Sequence, residues 1–313
     1  MTLSKLINYG VIAGVLTAVV SCGSGSGGGM TGSGLVIGPI TGLGSFIVND
    51  VTFDVDTASV VIDGTPAAAS ELRLGMVVEV RGTVDARTAT GVAASVEFDD
   101  DLQGPVEAVD ESQSTIVVLG QLVLVMEATV FDGTTLATLE IGEVIEVSGF
   151  ADGGGNLRAT RIELENESEG YELRGLIAEL DGDAETFRIG GQLVDYSNAE
   201  IENAPPDGLA NDLYVEVEAQ DDPVGGVLVA TEVEVKGNDF DGEEGEEVEI
   251  EGLVTRVISA TEFVLNQTRR VRTDTRTEFE NGTAADIAVD TRLEAEGIVG
   301  NDGVLVAREV EFR

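Results

Sequence analysis

The stretch Val77-Val78-Glu79-Val80-Arg81-Gly82 alternates apolar and charged side chains and stops on a glycine. That is the period-two pattern of a strand with one face buried and the other wet. The pattern returns as Val144-Ile145-Glu146-Val147-Ser148-Gly149, as Leu213-Tyr214-Val215-Glu216-Val217-Glu218 and as Thr291-Arg292-Leu293-Glu294-Ala295-Glu296-Gly297. A strand recurring four times marks a repeat architecture, so the folding unit is the repeat rather than the chain. Five positions ahead of the last apolar residue of each copy stand Gly75, Gly142, Asp212 and Asp290, at spacings of 67, 70 and 78 residues. These are turn-forming residue types at a fixed offset.

Downstream of each such strand a second one closes the copy, over 92–98, 157–164, 227–235 and 304–312. The loops between them, such as Asp152-Gly153-Gly154-Gly155-Asn156 and Asn301-Asp302-Gly303, read as hairpin turns. Each copy opens on a glycine-bearing strand: Ile40-Thr41-Gly42-Leu43-Gly44-Ser45-Phe46-Ile47-Val48, Gln103-Gly104-Pro105-Val106, Leu173-Arg174-Gly175-Leu176-Ile177 and Ile250-Glu251-Gly252-Leu253-Val254. The glycine lets the strand bend or bulge. With the strands carrying Ile116-Val117-Val118, Phe187-Arg188-Ile189 and Phe263-Val264-Leu265, the count reaches five or six short strands per copy.

A unit of this size cannot bury enough surface as an open flat sheet, so closure is expected. The expected fold is all-β, a tandem array of four small OB-like barrels. A β-sandwich built from pairs of modules is the other arrangement that the strand count permits. The bent glycine strand, the L-x-x-G turn, the V-E-V-x-G strand and the closing V-x-A-x-x-V-E strand together resemble domain of unknown function family 5666. That family occurs in tandem in bacterial exported proteins, and the resemblance implies an architecture and no activity. Leu72-x-x-Gly75 and Leu139-x-x-Gly142 match its turn, while Asp212 and Asp290 depart from it, as does Ala219 at the strand-ending glycine.

The modules are placed at 37–101, 102–168, 169–238 and 248–313, with an acidic linker at 239–247 that reads as a solvated spacer. Ahead of them, residues 1–21 have the layout of a signal peptide: Lys5, an apolar run from Leu6 to Val20, then small residues before Cys22. The run is shorter than the roughly 18 to 20 residues that span a bilayer. Val19-Val20-Ser21-Cys22 resembles the lipobox of bacterial lipoproteins, which implies lipid attachment at Cys22, the one cysteine of the chain. Residues 22–36 read as a flexible Gly/Ser-rich tether. Gly23, where inner-membrane lipoproteins carry aspartate, implies an outer-membrane address in a Gram-negative source, facing the periplasm or the surface.

Composition excludes several chemistries. The chain has no histidine, and lipidation would consume its only thiol, so zinc sites of the usual kind and His-dependent triads are ruled out. The formal net charge of −42 repels polyanions and argues against nucleic acid, while inviting cations. Asp181, Asp183, Asp239, Asp241 and Glu243 are the candidate calcium ligands. The 239–247 segment fails the EF-hand pattern because Glu244 stands where glycine is required. Asp99-Asp100-Asp101 and Asp181-Gly182-Asp183 read more simply as turns.

The basic cluster Arg269, Arg270, Arg272 and Arg276 lacks interleaved aromatics, so pairing with neighbouring acids is expected rather than an anion site. Tyr171, Tyr196 and Tyr214, with no tryptophan, make a poor sugar platform. The acid pairs Glu216/Glu218 and Glu232/Glu234 have no evident difference in environment of the kind a glycosidase needs. The expected function is therefore a noncatalytic envelope lipoprotein, with no cofactor. It would act as a spacer or binding array for an envelope protein or polymer and be held to the membrane through Cys22. A calcium-responsive acidic surface protein is the alternative.

Overall fold

The computed structural model describes residues 30–42, 44–165, 170–237, 240 and 244–313. The signal-peptide-like segment, Cys22 and the calcium candidates Asp239, Asp241 and Glu243 lie outside the described residues.

Module 2 shows the unit most plainly. Its strands are Leu102–Asp110, Thr115–Val118, Gln121–Asp132, Val144–Ala151 and Leu157–Glu165. The first pairs antiparallel with the second, the second with the third, the third runs parallel to the fifth, the fifth pairs antiparallel with the fourth, and the fourth returns to the first. The circuit is closed and OB-like, so the sheet of one copy needs no partner module to complete a sandwich.

Modules 1 and 4 trace the same circuit with the third strand split in two. In module 1 it comprises Val51–Asp54 and Ser59–Ile62, both parallel to Thr90–Phe98. In module 4 it comprises Arg269–Arg272 and Glu278–Glu280, both parallel to Leu305–Phe312. Module 3 breaks its first strand into Tyr171–Leu176 and Ala178–Asp181 and its fifth into Val227–Val229 and Glu232–Val235. Apolar residues from alternating positions fill the barrels, for instance Val78, Val80, Val96 and Phe98 in module 1. Each such burial contributes about 1.5–3 kcal/mol.

The repeated turn residue has a definite task. Gly75, Gly142, Asp212 and Asp290 all take left-handed backbone, with φ of 86, 91, 68 and 71°. Their N–H groups donate to the carbonyls of Ile40, Val106, Ile177 and Val254 in the first strands at 2.8–2.9 Å. The N–H groups of those four residues donate back to the carbonyls of Met76, Glu143, Leu213 and Thr291. Aspartate replaces glycine in modules 3 and 4 because it is among the few residues that tolerate this conformation. The two departures from the family pattern are thus faithful copies of one clasp.

The strand-ending glycine answers a different demand. A Cβ at Gly82, Gly149 or Gly297 would lie 2.1–2.3 Å from the carbonyl oxygen of Val92, Arg158 or Val306. The fifth strand bulges there, carrying one extra residue at Ala94, Thr160 or Arg308. In module 3 the fifth strand is interrupted after Val229, the approach is relaxed, and Ala219 fits.

Three boundary expectations are corrected. The tether does not reach residue 36, because Thr31–Gly42 is the first strand of module 1, with Leu35 and Val36 buried. Gly34 serves close packing rather than flexibility, since a Cβ there would lie 2.3 Å from the Glu247 carbonyl oxygen. The acidic linker likewise ends early. Glu247 opens the strand Glu247–Ser259, Glu246 pairs with Arg81 at 2.7 Å, and Phe240 is buried in the core of module 4. Finally, the opening glycine of module 1 is Gly38 rather than Gly42. It stands two residues before the clasped Ile40, as Gly104, Gly175 and Gly252 stand before Val106, Ile177 and Val254.

The modules do not hang as separate beads. The first strands of modules 1 and 4 pair in parallel from Gly34↔Glu247 to Ile37↔Ile250. Those of modules 2 and 3 pair antiparallel at Gln103↔Glu172 and Leu102↔Leu173, and the two barrels share one continuous apolar core. Module 1 docks on module 2 through Val77 N–H to Ser148 Oγ (2.9 Å) and Thr160 Oγ1 to the Gly75 carbonyl (2.5 Å). At the other end of the module 2–3 seam, the Gly191 N–H donates to the Gly120 carbonyl, an approach only glycines permit.

Candidate functional site

All four modules meet around a polar cavity of about 460 Å³. Module 1 lines it with Glu79, the module 1–2 junction with Asp99 and Asp101, module 3 with Arg174, Tyr214 and Lys236, and module 4 with Arg269. Arg174 projects from the first strand of module 3, just ahead of the bend at Gly175. Its Nη2 lies 3.0 Å from Glu172 and 3.8 Å from Asp99, and it also pairs with Glu216. Lys236 bridges to the same Glu216 at 3.1 Å and pairs with Glu234. Arg269 reaches Glu79 in module 1 at 2.8 Å and lies over the Phe240 ring.

Burial governs the titration of this region. The Asp101 carboxyl is pushed up to about 6 by burial, against the pull of Arg174 and the hydrogen bond from the Gly149 N–H. Burial raises Glu146 to about 7 and Glu172 to about 8, the latter despite Arg174. Asp100, only 3% exposed, is raised by burial and by repulsion from Glu146 and Asp63, and its N–H donates to Asp63 at 3.0 Å. Burial opposes the Arg174 charge, but Glu172, Glu216 and Asp99 outweigh it and hold the guanidinium protonated. Asp100 Oδ1 and Arg174 Nε are buried without a hydrogen-bond partner among the described residues.

The arrangement joins modules by charge pairing and shared protons. Arg174, Lys236 and Arg269 each engage at least one carboxylate, so their charges are balanced within the seam. Among the described residues no group of three or more acids is arranged to hold a metal ion.

The residues singled out in the sequence take varied places. Asp181 accepts the N–H groups of Asp183 and Ala184 at 3.0 Å, which is a turn. The basic cluster is spent on acids: Arg270 and Arg272 converge on Glu262, Arg272 also reaches Asp302, and Arg276 pairs with Asp274. Tyr196 stacks on Phe187, Tyr171 donates to Asp222, and Tyr214 is half-buried at the central cavity, so the three do not share a face for a sugar. Glu216 and Glu234 meet at Lys236, while Glu218 is exposed. Asp99-Asp100-Asp101 connects the last strand of module 1 to the first of module 2, as read, but it is largely buried, because module 2 begins at Leu102 with no linker and the acids face Arg174 and Gly149. Arg174, Asp63, Glu146 and Glu172 escaped the reading of the sequence. Only Arg174, a lone cation within Glu172-Leu173-Arg174-Gly175, carried a visible signal.

A family model described as Domain of unknown function (DUF5666) matches four times in tandem, at residues 34–97, 103–163, 174–234 and 251–311, and the chain belongs to this family. A search of the curated proteins finds no match. Among solved structures the chain is similar to one described as "drosophila Unr CSD456", at 15% identity over 68% of this chain and 96% of that one, with a TM-score of 0.18.

Proposed function

We propose that this four-module member of the family is a noncatalytic cell-envelope lipoprotein, anchored through Cys22 and acting as a binding array for an envelope or extracellular partner. The observation that carries the reading is the pairing of first strands, module 1 with 4 and module 2 with 3. Such pairing favours a fixed body that presents one surface over an extensible spacer whose modules move independently. The neutralised cations of the central cavity support a noncatalytic role. The lipobox-like Val19-Val20-Ser21-Cys22 and the glycines after it support the anchor and its reach.

The test is expression of the full chain in a bacterial host fed a clickable palmitate, beside Cys22→Ser. The reading expects labelled, membrane-bound protein that becomes unlabelled and soluble in the variant. Label-free protein in both would remove the anchor, and turnover of a substrate by the soluble variant across a hydrolase panel would remove the noncatalytic role. The calcium-responsive alternative draws its support from the net charge of −42, and a comparison of calcium with sodium at equal ionic strength tests it.

A further inference from the structure

A second cavity differs in kind from the central one. It is a groove of about 500 Å³ between modules 1, 2 and 4, within the range of about 300–1,000 Å³ typical of small-molecule sites. Ile40, Leu253, Phe150 and Ala159 form buried apolar lining. One wall is a wide bulge in the third strand of module 2, where pairing with the fifth strand stops at Val125↔Ala159 and resumes at Val130↔Arg161. The bulge is pinned: Thr129 Oγ1 donates to the Ala159 carbonyl at 2.6 Å and accepts the Met126 N–H at 2.8 Å. It holds Met126 at the groove with 47% of its surface exposed, an unbranched and polarisable side chain that adapts to an apolar guest.

Two guanidinium groups, Arg158 and Arg292, line the same groove against one carboxylate, the exposed Glu127 on the bulge. Both keep donors in hand. Arg292 lies over the Phe150 ring and engages Glu251 through Nε alone, at 2.6 Å. Arg158 stands 3.7 Å from Asp290 and makes no hydrogen bond through its guanidinium to any described residue. Two guanidinium groups on an apolar groove are unexpected in a chain of net charge −42. Apolar lining selects an apolar body, and spare planar donors select a carboxylate.

We infer that this groove binds a free apolar monocarboxylate of medium chain length, its tail along Met126 and Phe150 and its head on Arg158 and Arg292. The inference rests on the reading of the chain as a noncatalytic binding body and supplies that body with a ligand class.

The chain has no tryptophan, so Met126→Trp places a single fluorophore at the groove. The full chain carrying it is titrated, below micelle-forming concentrations, with decanoate, decan-1-ol and decyltrimethylammonium. Decanoate is expected to shift the emission to the blue and to bind at least about tenfold tighter than the other two, the effect of a charge-assisted hydrogen bond or two. Adding Arg158→Gln and Arg292→Gln is expected to erase that preference while leaving alcohol binding in place, which shows that the groove still forms. Calorimetry on the unsubstituted chain should give one site for decanoate. An unmoved emission with no heat of binding overturns the inference, as does equal binding of all three amphiphiles. Either failure, with Cys22 still lipidated, removes the ligand class and leaves the envelope-lipoprotein reading standing.

Discussion

Buried carboxyls at the module seams are expected to give this protein a stability that falls as pH rises. Asp101 rises from 3.8 to about 6 and Glu296 from 4.5 to about 7, both chiefly through burial. Between those values the folded chain holds protons that the unfolded chain has released. Raising the pH therefore favours unfolding, and the stabilisation present under acidic conditions is lost as pH climbs through the folded-state values. For these two groups together the loss between pH 5 and pH 8 is about 4 kcal/mol, at about 1.4 kcal/mol per pH unit of displacement. Against a total stability of about 5–15 kcal/mol that is a large share. At about 2–4 °C per kcal/mol it lowers Tm by roughly 10 °C. Glu146 and Glu172, raised to about 7 and about 8, act in the same direction. The assay is calorimetry or dichroism of the Cys22→Ser chain at fixed ionic strength from pH 5 to pH 8. Asp101→Asn, which keeps an oxygen for the Gly149 N–H, is expected to flatten the lower part of the slope. A Tm that is level or rising toward pH 8 would show that burial does not raise these carboxyls in the folded chain.

Three other perturbations have defined outcomes. Gly149→Ala sets a methyl 2.3 Å from the Arg158 carbonyl and is expected to cost about 1–3 kcal/mol by chemical denaturation; a cost near zero would show that the bulge gives way freely. Arg174→Met leaves Glu172 without its cation and Glu216 with Lys236 alone, and it is expected to destabilise by about 3–5 kcal/mol. The loss should be larger at pH 8 than at pH 5, and a uniform loss across that range would place the effect in packing instead. Calcium and sodium chloride at equal ionic strength are expected to raise Tm alike, since the 239–247 segment carries Glu244 where an EF-hand loop requires glycine; a rise specific to calcium would favour the cation-responsive alternative.

The repeat was legible because it rests on local rules. Alternation in Val77–Gly82 and its three counterparts, with a turn residue at a fixed offset, names a strand and the bend before it. The clasp at Gly75, Gly142, Asp212 and Asp290 shows why Asp is admitted: the requirement was a left-handed φ, and glycine was one way to meet it. The seams were hidden because they join residues remote in sequence. Nothing in Gly32-Ser33-Gly34-Leu35 distinguishes a tether from a strand pressed against Glu247, since glycine serves both flexibility and close approach. The run Asp99-Asp100-Asp101 reads as a turn, but its burial is not legible, because Arg174, which pairs with Asp99, sits in the next-but-one module. The central cavity is built from such long-range meetings, and periodicity carries no information about them.

The parallel seam between modules 1 and 4 also bears on how the chain is made. Leu35 and Ile37 belong to the apolar cluster of the fourth barrel, yet they are synthesised long before their partners in Glu247–Ile250. Until the strand Glu247–Ser259 arrives, one side of Thr31–Gly42 is an uncovered edge able to recruit another copy of itself. Assembly is thus of high contact order and slow relative to the folding of any single barrel. A chain cut short before the fourth module would keep three closed barrels and carry that edge permanently, and it should self-associate where the full chain does not.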